Sequence, residues 1–267
     1  MNTRGDARHR RALDEDFFGI PLRTKGQTAR FMQLKARPIK STKWACPTML
    51  NHLGIGQQFR ELANAAGLQH FIFQRKPTYR RLTLEFLSTL KHTVPNHPGS
   101  TEEGVDRVPF QLMGLSHDIS FNEWCRHFRF LNSDNRLRSM HQGLTPSPRS
   151  YFHQMSKYSG TPKGGQIESP AIRYLYYVIA NTLQAHGEFT KVNEEEMIIL
   201  AKAAIPTCNV TPNLGAFLLF HLDRQAVQTC GAITYGGIIT LLAKRLLIDF
   251  NELQPLNGDL VISYKTL

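Results

Sequence analysis

The sequence predicts a mainly α protein: a helical globular domain with at most a small β-sheet or hairpin, preceded by a disordered basic N-terminal arm. Three observations predict it. Apolar residues recur at helical spacing in several segments, helix-start signals stand ahead of them, and only one short stretch alternates in the manner of a strand. With 267 residues and 41% hydrophobic side chains, the chain can bury a sizeable core. That composition excludes a wholly disordered chain, a collagen, a coiled-coil rod and a disulfide miniprotein.

Residues 1–45 read as the arm. They hold 11 Lys+Arg against 4 acids, which is +7 of the chain's net +11. Their apolar positions are few and unclustered, and Gly19, Pro21, Gly26 and Pro38 punctuate them. Dispersed cations on such a segment suit phosphate contact without sequence reading. Arg4, Arg8, Arg10, Arg11, Arg23, Lys25, Arg30, Lys35, Arg37, Lys40 and Lys43 are therefore the candidate residues for weak binding of RNA or DNA. A solvated tail that only aids solubility fits the same residues.

Residues 46–141 read as an N-terminal helical lobe with short strands. Leu50, Leu53, Phe59, Leu62 and Ala66 suit short helices divided by Gly54, Gly56 and Gly67. Tyr79, Leu82, Phe86, Leu87 and Leu90 form one helical stripe after Pro77, and residues 92–104 read as a loop. Val108 to Met113 reads as a short strand ended by Gly114, with Ile119 able to pair back onto it. Ser120-Phe-Asn-Glu123 is a capping box, and Phe121, Trp124, Cys125, Phe128 and Leu131 continue it as an amphipathic helix. The Arg126-to-Phe130 run also suits a base-stacking platform, but Phe128 is needed in the core stripe.

Residues 142–169, rich in Pro, Gly and Ser, read as a linker or long surface loop. Residues 170–267 read as a C-terminal helical lobe. Ser169-Pro170 starts a helix, apolar on most faces, that runs to His186 and stops at Gly187. Asn193 caps a second helix with Glu194, Glu195 and Glu196 in its first turn. Thr211-Pro212 starts a third, Gly236-Gly237 precede a fourth over Ile238 to Ile248, and Val261 to Tyr264 read as a terminal strand.

Four stretches, in order, resemble the first-open-reading-frame protein of plant Athila-type LTR retrotransposons, the Arabidopsis retrotransposon domain. They are Pro77-Thr-Tyr79 with Leu84 to Leu90; Phe110 to Gly114 with Ile119, Ser120 and Glu123; Arg173-Tyr174 with Ala180 to Leu183, His186 to Glu188 and Lys191-Val192; and Tyr235 to Thr240. The likeness reaches from about residue 50 to 250. It implies a gag-like, non-enzymatic product, and it carries no catalytic or ligand residue onto this chain. Members often continue past this domain, so an end at Leu267 implies a fragment or a degenerate copy.

Motifs for other chemistry fail individually. Cys46, Cys125, Cys208 and Cys230 form no CxxC and no zinc knuckle, so they read as reduced thiols of an intracellular protein. No Asp-Thr/Ser-Gly, P-loop or GxGxxG occurs, since Gly54-Ile-Gly56 lacks the third glycine. His186-Gly-Glu188 begins a zinc-deaminase motif, but only Cys208 follows Pro206 where two thiols are required. His221-Leu-Asp-Arg224 is a His-x-x-Arg match of the kind chance supplies, and His117, Asp118 and Ser120 could form a triad only if Ser120 left its cap. His92, His97, His117 and His127 lack ligand spacing.

No catalytic, cofactor or metal residue is therefore assigned, and no apolar run reaches the ~20 residues of a membrane span. The expectation is a retrotransposon-derived, gag-like structural protein, cytoplasmic or nuclear rather than secreted. It binds nucleic acid weakly through residues 1–45, and self-association is its other expected contact. The alternative is a host module whose folded part binds a protein partner. The sharpest local expectation is the cap: Ser120→Ala should lower stability by about 0.5–2 kcal/mol in urea unfolding, because an amide at the helix start loses its acceptor.

Overall fold

A computed structural model describes residues 19–91, 107–130, 147–156, 161–184 and 191–262. Among them are ten α-helices and one antiparallel hairpin, so the protein is mainly α as its sequence predicts. The helices are α1 (Lys25–Lys35), α2 (Pro47–His52), α3 (Gly56–Ala65), α4 (Arg80–Thr89), α5 (Phe121–Phe128), α6 (Pro148–Met155), α7 (Pro170–Val178), α8 (Glu194–Ala204), α9 (Leu214–Val227) and α10 (Gly236–Arg245). The hairpin strands are β1 (Arg107–Leu112) and β2 (Leu115–Ser120).

The centre is α4. Every residue from Leu82 to Thr89 is buried, and α1, β1, α9 and α10 pack around it. A helix covered on all sides must satisfy its polar groups internally. Ser88 and Thr89 donate back to the Glu85 carbonyl at 3.0 and 2.7 Å, and Thr89 Oγ1 also accepts from the Gln111 amide at 2.9 Å. The Glu85 carboxylate accepts from the Met113 amide at 2.9 Å and from Gly114 at 2.7 Å. Met113 and Gly114 form the two-residue turn of the hairpin, with φ of 52° and 78°. Positive φ at both positions is the I′ geometry that matches the twist of paired strands. Glu85 thus holds the strained Met113 in place from below. Val108 pairs with Ile119, as the alternation predicts.

The capping signals form as read. Ser120 Oγ accepts from the Glu123 amide at 3.2 Å, and the Glu123 carboxylate accepts from the Ser120 amide at 2.8 Å. Phe121, Trp124, Cys125 and Phe128 all face inward from α5. The Trp124 indole N–H donates to the Gly215 carbonyl at 3.1 Å, and a Cβ on Gly215 would sit 2.4 Å from Cys125 Sγ. Helix α9 therefore approaches α5 at a distance only glycine permits. Ser169 and Asn193 cap α7 and α8. Helix α9 begins at Leu214, not at Thr211-Pro212, because Asn213 is its cap and accepts from the Ala216 amide at 3.0 Å. Gly236 and Gly237 lie inside α10, where a Cβ would meet Thr78 Cγ2 or stand 2.7 Å from the Lys76 carbonyl.

Three readings are corrected. An arm running to residue 45 does not stand for residues 19–45, which are folded. A Thr24–Gln27 capping box starts α1, and Phe31 and Leu34 are fully buried. Residues 38–45 then run as extended chain beside the C-terminal segment. Ile39 bridges Ile233, Trp44 bridges Val261 in parallel, and Trp44 and Ala45 are fully buried. Secondly, the 142–169 segment contains α6, capped by Ser147 with Pro148 at its first position, and Tyr151, Phe152 and Met155 bury against the protein. Thirdly, the helix from Pro170 changes at Ile179 to a π-turn over Ile179–Leu183, with the Gln184 amide donating to the Ile179 carbonyl at 3.0 Å. Asn181 and Thr182 are buried there. Residues 92–104, His186 to Glu188 and the strand beyond Ile262 lie outside the described residues.

One core cluster extends from Ile20 to Ile262 and draws on both expected lobes.

Burial raises the Glu85 pKa above its ordinary 4.5, against the two amides and Arg81, which pull it down. The folded state therefore holds this proton to higher pH than the unfolded chain. Its contribution to stability is complete below the ordinary carboxyl value and fades as pH rises through the raised one. Wild-type melting temperature should fall from pH 5 to 8 more steeply than that of Glu85→Gln. Glu85→Ala, which strands two amides, should lose roughly 1–3 kcal/mol per amide in urea unfolding.

Candidate anion-binding cleft

The basic excess is sharper than the arm reading allowed. Residues 1–18 hold four Arg and four acids, so they are neutral; residues 19–45 hold seven cations and no acid, so the whole +7 lies on folded chain. Arg4, Arg8, Arg10 and Arg11 lie outside the described residues. Arg23, Lys25 and Lys40 are exposed, and Lys35 and Lys43 are half-buried. Half-buried Arg30 donates to the Leu90 carbonyl at 2.7 Å, where it caps α4.

Arg37 is not a surface cation. Its side chain is buried, with the residue only 4% exposed. Nη1 donates to the Gln225 and Gln228 carbonyls at 2.9 and 2.8 Å, and Nε donates to the Gly231 carbonyl at 3.1 Å. The first two are carbonyls of the last turn of α9 and of its C-cap residue, groups the helix itself leaves without donors. A guanidinium there also meets the negative end of the helix dipole. Burial pulls the Arg37 pKa below the usual arginine value. The residue is a structural pin.

That pin fixes one wall of a cleft of about 590 Å³. Lys40, Ser41 and Lys43 form a second wall, held by the Lys40 amide on the Ile233 carbonyl at 2.8 Å and by Thr182 donating to the Lys43 carbonyl. The π-turn and its exit supply Asn181 and Gln184, and Asn193 enters from the cap of α8. Helix α9 presents His221, Arg224 and Gln225, and Gln228 follows at its C-cap. The described lining has three full cations, several amides and hydroxyls, and no carboxylate. Such a concavity concentrates positive potential and attracts anions.

Other candidate chemistry stays apart. Ser120 Oγ donates to the Glu123 carboxylate at 2.8 Å, and Asp118 pairs with Arg107 at 2.9 Å. His117 stacks on Phe110, with its pKa lowered by burial. These three residues form no triad. His221 and Arg224 do share the cleft, being three apart on α9, but the His221 ring packs edge-on to Phe217 and Phe220. Burial pushes the Cys125 thiol up to about 12, which leaves it unreactive. Among the described residues no group of three His, Cys, Asp or Glu could hold a metal ion, and no helix is long and apolar enough to cross a membrane.

Sequence reading missed Asn181, Gln184, Arg224, Gln225 and Gln228 as neighbours of Lys40 and Lys43. Two signals pointed that way: an acid-free run over 19–45, and polar Asn181, Thr182 and Gln184 interrupting an apolar helix.

A mainly helical fold with a basic cleft defines a class rather than an identity. The chain matches the ATHILA ORF-1 family over residues 23–214, and it belongs to that family of Athila-type plant retrotransposon proteins. Three of the four resembling stretches fall inside the match, and Tyr235 to Thr240 lies beyond it. No curated protein and no solved structure matches the chain.

Arg37→Ala leaves three carbonyls without their donor and should destabilise the protein by roughly 1–3 kcal/mol or more in urea unfolding. Arg37→Lys should recover only part, since an ammonium lacks the planar fork.

Proposed function

We propose that the protein is a gag-like, non-enzymatic structural component of its element that holds nucleic acid weakly and without reading base sequence. Family membership supports the gag-like part. The observation that carries nucleic-acid binding is the placement of charge: seven cations and no acid over residues 19–45, with Arg23, Lys25 and Lys40 exposed and Lys43 at the cleft. Contacts of this kind neutralise phosphates and release counterions, so they carry affinity but no sequence information.

The test is a salt titration by fluorescence anisotropy on the full-length protein, with 20-nucleotide RNA and DNA strands of different sequence. About four phosphate contacts should give a log-affinity against log-salt slope of about −3. Base composition should leave it unchanged. Converting Arg23, Lys25 and Lys40 together to Gln should flatten the slope to about −0.7, with the melting temperature retained within about a degree because these side chains are exposed. An unchanged slope would place the contacts elsewhere. No binding by wild type would overturn this reading and leave the protein-partner alternative.

A further inference from the structure

Resting on the nucleic-acid reading above, we propose that the form bound is single-stranded, with one base stacked on the Phe220 ring beside the cations of the cleft. Phe220 is 51% exposed, and among the described residues it is the one Phe, Tyr or Trp left on the surface. Elsewhere the fold buries its rings. Phe128 and Phe130, which by sequence suit a stacking platform, are both inside. On α9 itself Phe217, Leu218, Leu219 and Leu222 turn inward while Phe220 stays out.

The ring stands next to the charge. Phe220 and Arg224 are four apart on α9, so their side chains are neighbours on one helix face, with Cβ atoms about 5–6 Å apart. Arg224 is exposed and lines the cleft together with Lys40 and Lys43. His221 also lines it, and its ring meets the Phe220 ring at 5.3 Å and 81°, an edge-on contact with a buried neighbour that orients the exposed ring. Cations beside an open aromatic face are the two parts a single strand engages: the charges take phosphates and the ring takes a base. Stacking is tolerant of sequence because every base has a π-face, so this contact adds affinity without base reading.

A double helix fits less well, since its bases already stack on one another and leave no face open to a ring. A protein partner would favour a contiguous apolar patch. Val227, the next exposed apolar residue on this face, is seven positions from Phe220, with Arg224 between them.

Fluorescence anisotropy of the full-length protein tests this with the single strands above, an abasic strand of equal length and a blunt duplex. Wild type should bind the single strand about tenfold more tightly than the abasic strand, which keeps the phosphates and lacks the bases. Phe220→Leu keeps the apolar bulk but loses the π-face, and it should bring the single strand down to the abasic level. Its salt slope and its affinity for the abasic strand should match wild type, because no phosphate contact is lost. Its melting curve should also be unchanged, since the ring is on the surface. Phe220→Trp should keep tight binding, and the single strand should quench its added indole fluorescence, whereas Trp44 and Trp124 are buried. Equal affinity for the single and abasic strands, or indifference to Phe220→Leu, would overturn the stacking site and leave the phosphate reading standing. Tighter binding of the duplex than of the single strand would overturn it as well. No binding of any strand by wild type would overturn both readings and leave a protein partner as the occupant of this face.

Discussion

Everything in this structure is arranged around a helix with no solvent face. Helix α4 is buried from Leu82 to Thr89, so the apolar gain is large, but Thr83, Glu85, Ser88 and Thr89 come inside with it. An unsatisfied polar group there would cost about 1–3 kcal/mol. The hydroxyls return to the helix's own carbonyls, Thr89 takes the Gln111 amide, and Glu85 takes the two amides of the hairpin turn. The same bonds that make burial tolerable therefore fasten β1 and β2 onto α4. Arg30 closes the other end by donating to the Leu90 carbonyl, which ties α1 to the centre.

The basic segment joins the two ends of the chain. Residues 38–45 accept and donate backbone hydrogen bonds with Ile233, Leu260 and Ile262, and Trp44 is fully buried among them. Arg37, the residue before this stretch, reaches the last turn of α9 nearly two hundred positions away in sequence. Cleft and core are consequently one construction. Lys40 and Lys43 stand where they do because their neighbours Arg37, Thr42 and Trp44 are held by the C-terminal part of the protein.

The local grammar of the chain was legible. The Ser120–Glu123 box, the Ser169-Pro170 start, the Asn193 cap and the pairing of Val108 with Ile119 each depend on residues a few positions apart, and each formed. What escaped depends on distance. Residues 19–45 look like an arm because only Phe31, Leu34, Trp44 and Ala45 become core, and their partners lie far along the chain. Even so, Thr24-Lys-Gly-Gln27 is a capping box of the same kind as Ser120's, set among cations that make the segment read as an arm. The π-turn at Ile179 has no local signal beyond its polar residues, since the extra residue per turn is set by what Asn181 and Thr182 reach. Arg37 showed least of all: a cation in a basic run gives no sign that three carbonyls wait for it.

Folding the cations into the body changes the physics of binding. A disordered arm that meets a polyanion must lose conformational freedom at that moment, which offsets part of its attraction. Here the entropy is lost on folding, because α1 and residues 38–45 are already ordered by Phe31, Leu34 and Trp44. The opposing cost is electrostatic: the folded segment gathers seven like charges with no acid within residues 19–45. A bound anion removes that repulsion only in the folded state, so it stabilises the fold by mass action as well as being held by it. Any anion held by this segment would thereby couple binding to stability. A substitution that loosens Trp44 or Arg37 would loosen the cleft without touching a lining side chain, and an anion in the cleft would tighten the closure between the two ends of the chain.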